Sequence, residues 1–98
     1  MTECRDLAEV RRNIDRLDEA IVGLLAERAG FVSQAARFKD EEQAVVVPER
    51  IEAIISRVRH LATDRGCDAD LMEALYRGMI DAFIAYERGV WRAAHPKR

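Results

Sequence analysis

Apolar residues recur along the first part of the chain in two rows seven residues apart. Leu7, Ile14, Ile21 and Ala35 form one row, with Arg28 at its remaining position, and Val10, Leu17, Leu24, Phe31 and Phe38 form the other. Two such rows, sustained over the whole stretch, predict one long helix that packs along a seam. Asp6 with Glu9 three residues later gives a capping-box-like start. Gly23 and Gly30 each weaken a helix by up to about 1 kcal/mol relative to Ala, but the rows run through them, and nothing breaks the pattern before Phe38. The first helix is therefore expected over Leu7 to Lys39. At 1.5 Å per residue it is roughly 48 Å long. Such a helix overhangs any core that 98 residues can build and calls for a partner chain.

The pattern changes at Asp40 to Val47, where acidic residues give way to Ala44-Val45-Val46-Val47. Consecutive β-branched residues ahead of a proline favour extended backbone, and this stretch is expected to be a loop crossing back over the helix seam. Pro48 suits the first position of a second helix. Ile51, Ile54, Ile55, Val58, Leu61 and Ala62 are its apolar stripe, and Arg65-Gly66 ends it. Asp68 is placed to cap a third helix running to about Ala94, with Leu71, Met72, Leu75, Met79, Ile80, Ala82, Phe83, Ile84 and Trp91 apolar. No alternating strand-length segment or repeat occurs. The prediction is an all-α domain over residues 1–98, long helix, medium helix, long helix, with loops short enough for antiparallel neighbours.

Composition narrows the partners. The chain is 49% apolar and 35% charged, as in soluble helical proteins. Its net charge is -2, and the basic residues are interleaved with acids, so it lacks the concentrated positive face that nucleic acid requires. The closing His95-Pro96-Lys97-Arg98 is too short to alter this. The opening Met1-Thr2-Glu3-Cys4-Arg5-Asp6 has no apolar core of a signal peptide, and no run approaches the roughly 18 apolar residues of a membrane span. Cys4 and Cys67 form no metal-like cluster and read as reduced thiols of a cytoplasmic protein. No metal and no cofactor is expected.

Candidate chemistry begins with Arg28. An unpaired guanidinium within an apolar seam costs several kcal/mol, so something anionic should meet it, either a structural carboxylate or a ligand. Lys39 lies eleven residues on, about three turns away and near the same azimuth. At the end of a helix it also serves ordinary dipole compensation. Arg50 falls in the first turn of the second helix, on the wrong side of the dipole. It is either solvated or set to gain from an anion docked at that N-terminus. Glu87 sits in the stripe Ile80, Phe83, Ile84, Glu87, Trp91. Such a face disfavours the charged form of a carboxyl unless a cation, such as a nearby arginine, pairs with it. Trp91 reads as core or dimer interface, and His60 and His95 as exposed residues without a role. Arg11 is roughly 25 Å from Arg28 along a straight helix, so the two can share a small ligand only if Arg11 comes from a second subunit.

These residues bring a family into view. Leu7-Ala8-Glu9-Val10-Arg11-Arg12-Asn13-Ile14-Asp15-Arg16-Leu17-Asp18-Glu19 resembles the opening of the all-helical chorismate mutases, as does Leu24-Leu25-Ala26-Glu27-Arg28 followed by Lys39. Arg37-Phe38-Lys39, Pro48-Glu49-Arg50 and the late Trp91 are similar to the salicylate-forming isochorismate pyruvate lyase branch. The resemblance covers nearly the whole chain.

It implies an intertwined homodimer with two equivalent sites, each completed by an arginine of the other subunit. Arg28 would clamp one substrate carboxylate, and Arg11 of the partner subunit the other. Lys39 would reach the ether oxygen, and Arg50 would help hold the ligand. Glu87 stands where many members have a Gln that hydrogen-bonds the same oxygen. Val47, Ile51, Ile80, Phe83 and Ile84 are the candidate apolar contacts. Typical mutases carry Asp and Glu at the positions of Val47 and Ile51, and the loss of that Glu matches the lyase branch. The activity implied is rearrangement of chorismate to prephenate. The alternatives are isochorismate pyruvate lyase, 4-amino-4-deoxychorismate mutase, and a non-catalytic helical dimer or regulatory domain.

Overall fold

Asp6 caps the first helix, as its place ahead of the apolar rows predicts. Its Oδ1 accepts from the Glu9 N–H at 2.8 Å, while Glu9 Oε2 accepts from the Arg5 N–H at 3.2 Å, one residue earlier than in a regular capping box. The computed structural model describes residues 3–96; Met1, Thr2, Lys97 and Arg98, which belong to the terminal segments read above, lie outside the described residues. The elements are α1 (Leu7–Ala36), a 3₁₀ turn (Glu42–Val45), α2 (Pro48–Asp64) and α3 (Ala69–Ala94). No strand occurs among the described residues, and the all-α reading holds. Among them, no helix is long and apolar enough to cross a membrane.

The chain divides into two units between Phe31 and Val32. The first is the N-terminal length of α1. Its apolar rows stand in solvent, with exposure running from 37% at Val10 to 66% at Leu24. The periodicity is present, and among the described residues its rows remain exposed. A continuous exposed apolar face of this kind is a mark of an interaction surface.

The second unit holds the buried core: Ala36, Val45, Ile55, Val58, Ala62 and Ile80. Here α2 packs on α3, and the 3₁₀ turn packs on α3. Pro48 is at the start of α2 as expected, and Val47 occupies the cap position with extended backbone. The Arg65-Gly66 stop is a Schellman motif. Gly66 takes φ +69, a conformation that L side chains rarely adopt. The Cys67 N–H reaches the Ala62 carbonyl at 2.8 Å, and the Gly66 N–H reaches that of Thr63 at 3.0 Å. Asp68 then caps α3 by accepting from the N–H groups of Asp70 and Leu71.

Three expectations are corrected. First, α1 ends at Ala36, not Lys39. Arg37, Phe38 and Lys39 turn away through bonds to the carbonyls three residues back, and Phe38, the last member of its row, is 86% exposed, so periodicity there carries no burial to hold a further helical turn. Second, the 40–47 loop, expected to lie over the α1 seam, seats its 3₁₀ turn on α3 and buries Val45. Of its β-branched run only Val46 and Val47 are extended. Third, Leu61 is exposed, because the buried line of α2 passes through Ile55, Val58 and Ala62.

Candidate active site

The stripe on α3 is real. Ile80 and Glu87 are buried, and Phe83, Ile84 and Trp91 are half-buried between and beyond them. Phe83 meets Tyr86 edge-on, with ring centroids 6.4 Å apart. Glu87 is the one charged residue in that buried set among the described residues. Its partner is not an arginine: the Lys39 ammonium donates to Glu87 Oε2. Both side chains are largely withdrawn from water, Lys39 to 23% and Glu87 to 9% exposure. Partial desolvation strengthens the attraction relative to a surface pair and makes loss of either partner costly.

This arrangement corrects two sequence readings. Lys39 does not compensate the α1 dipole, since it lies beyond the helix and turns its ammonium toward α3. Glu87 is not a bare carboxyl on an apolar face. Two further links fix the same segment, neither of them visible from the apolar pattern. The Trp91 indole N–H donates to the Lys39 carbonyl at 2.9 Å, and Arg92 pairs with Glu42 of the 3₁₀ turn at 2.5 Å. Trp91, read as core or interface, is half-buried and hydrogen-bonded. The i, i+4 spacing of Glu87 and Trp91 was the available signal, because a partly buried indole N–H usually finds an acceptor.

Arg50 is exposed in the first turn of α2. Val47 gives that turn no side-chain cap, and Arg50 adds a positive charge to the same turn. Ile51 is half-buried one residue further on. In the first unit, Arg11 is exposed and Arg28 half-buried on α1. Among the candidate residues, the structure joins Lys39 and Glu87 directly.

A second charged cluster lies between α2 and α3. Arg77 binds Glu52 through both terminal nitrogens, at 2.9 and 3.1 Å, and Glu73 through Nε at 2.7 Å. Arg59 joins Asp70 and Glu73, each at 2.9 Å. Hydrogen bonds from Arg77 hold the Glu52 and Glu73 carboxyls below their ordinary range. The groove lined by Glu52, Ser56, Arg59, His60, Glu73 and Arg77 contains none of the candidate ligand-binding residues. Its cations are already matched by acids, so it reads as a clasp between helices.

Comparison with known proteins places the chain in a family. The profile of the chorismate mutase type II family matches residues 10–88. The isochorismate pyruvate lyase of Pseudomonas aeruginosa is 38% identical over 90 residues, covering 92% of this chain and 89% of that protein. A chorismate mutase of Methanocaldococcus jannaschii is 30% identical over 76 residues, covering 76% of this chain and 77% of the relative. The bifunctional chorismate mutase/prephenate dehydratase of Aquifex aeolicus is 33% identical over 89 residues, but the chain spans only 25% of its length. With three helices in the expected order and a profile match over most of the sequence, the chain belongs to the chorismate mutase type II family.

Proposed function

We propose that this chain is a single chorismate mutase-type domain that rearranges chorismate to prephenate by electrostatic clamping. The observation that carries the reading is the Lys39 ammonium held against Glu87 on the apolar stripe of α3. In a Claisen rearrangement the ether C–O bond breaks as a new C–C bond forms, and negative charge grows on the ether oxygen in the transition state. Catalysis then needs a folded conformer and donors aimed at that oxygen. An ammonium has three N–H donors; Glu87 takes one, and the others are available to the oxygen. Arg28 clamps one carboxylate and Arg11 of the partner subunit the other, while Arg50 steadies the ligand at the uncapped start of α2. Val47, Ile51, Ile80, Phe83 and Ile84 supply the apolar surroundings. No covalent intermediate or cofactor enters.

The same reading makes the protein a homodimer. The exposed apolar rows of α1 supply the surface, and a mass near twice 11.2 kDa is expected. Its two free cysteines suit the cytoplasm.

A second reading, isochorismate pyruvate lyase, is favoured by the identity to the Pseudomonas aeruginosa protein over most of both chains. Ile51 also stands where a mutase glutamate is expected. That reaction uses the same clamp: the C–O bond breaks while a ring hydrogen passes to the enolpyruvyl methylene, leaving salicylate and pyruvate. Incubating the purified protein with chorismate and isochorismate separately decides the branch. Prephenate supports the first reading, salicylate with pyruvate the second. Absence of turnover with both overturns the two together.

A further inference from the structure

Lys39 has no helix to hold it. The backbone of α1 ends at Ala36, and the last link back to it, from the Lys39 N–H to the Ala36 carbonyl, is stretched to 3.4 Å. A lysine ammonium rides on four rotatable bonds, so its location depends on what fixes both its main chain and its head. Both fixings come from α3. The Trp91 indole N–H donates to the Lys39 carbonyl at 2.9 Å, and Glu87, one turn earlier on the same face, accepts from the ammonium. The indole itself is braced by the His95 ring, stacked at 4.3 Å and within 16° of parallel. Beyond Lys39, the Arg92–Glu42 pair and the buried Val45 secure the rest of the segment to the same helix.

We infer that Trp91 is a positioning residue for the reaction: it acts through the Lys39 carbonyl to place the ammonium at the reacting oxygen. The inference rests on the role proposed for Lys39 and goes beyond it, since Trp91 itself need touch no substrate. A lost hydrogen bond of ordinary strength, followed by a small displacement of the donor, lowers the chemical step more than it lowers binding.

The test is a double-mutant cycle. Trp91→Phe keeps an aromatic ring but removes the donor along with part of the indole, and is expected to lower kcat roughly tenfold with KM changed by no more than about twofold. In a Lys39→Ala background the same substitution is expected to cause no further loss, because the group it positions is gone. An equal factor in both backgrounds overturns the inference and makes Trp91 a structural residue. Unchanged kcat in Trp91→Phe also overturns it.

A second measurement needs neither a variant nor turnover. The chain has a single tryptophan, so ¹⁵N-labelled wild type gives one indole N–H resonance. Slow exchange of that proton with water is expected, and exchange as fast as that of free indole overturns the bond to Lys39. If the wild type turns over neither substrate, the proposed function fails while this resonance still tests the link. If Lys39→Ala alone keeps full activity, the role of Lys39 fails by itself.

Discussion

A carboxylate cannot donate a hydrogen bond, and this makes Glu87 the residue whose chemistry is most exposed to test. Paired with Lys39 it accepts from the ammonium and so orients it. Glu87→Gln keeps an acceptor oxygen at that place and is expected to retain turnover, whereas Glu87→Ala leaves the ammonium unplaced and is expected to lower kcat roughly tenfold. Wild-type kcat in Glu87→Ala removes Glu87 from this role. Spacing alone reveals Glu87 as a carboxyl on an apolar stripe. It does not reveal Lys39 as the partner, because 48 residues separate the two. Their meeting depends on a turn after Ala36 that the heptad rows run straight past. Trp91 could be placed on the face of Glu87 by its spacing, but its acceptor was hidden, because a main-chain carbonyl carries no sequence signal.

Caps and stops, by contrast, were legible at the level of the element. Asp6, Pro48, Gly66 and Asp68 each act locally, within a turn of the chain, and each stands where its side-chain chemistry says it should. The α2–α3 clasp was not legible, since Arg59 and Arg77 look like any solvated charges until two helices are docked. Its pH dependence follows from the sign of the shifts. Glu52 and Glu73 lie below their ordinary value of 4.5 when folded, so the stability they add is fully present above it. That stability is lost as the pH falls through their lower folded values. Arg77, raised further by the same bonds, stays charged throughout. Arg77→Met is therefore expected to lower the urea midpoint at pH 7, and the gap from wild type to close as the pH drops below about 4. A gap that stays constant across that range would deny the clasp a share in holding α2 to α3.

For the whole molecule the decisive proposal is that each site borrows Arg11 from the other chain. Arg11→Ala and Lys39→Ala are each expected to be nearly inactive. When equal amounts are unfolded and refolded together, half of the dimers are mixed. Each mixed dimer then holds one intact site, with Lys39 from the first variant and Arg11 from the second, restoring about one quarter of wild-type sites. Activity no greater than that of the parents would show that no arginine crosses between subunits. The apolar rows of α1 were legible from sequence, and their exposure supports the partner chain proposed to cover them. Which cations meet which ligand group was not legible, since in the proposed dimer that depends on where a second copy docks.

The division of the chain at Phe31 also has a consequence in time. The α2–α3 hairpin is closed by the few residues from Arg65 to Asp68, and contacts so near in sequence form early. In the proposed dimer the exposed rows of α1 are buried only when two chains meet. Refolding from denaturant is thus expected to show a fast step whose rate is independent of concentration, seen in the fluorescence of Trp91 on α3. A slower gain of helix and of activity should follow, with a rate that doubles when the chain concentration doubles. A single concentration-independent phase in both signals would mean that α1 needs no second chain to reach its final state.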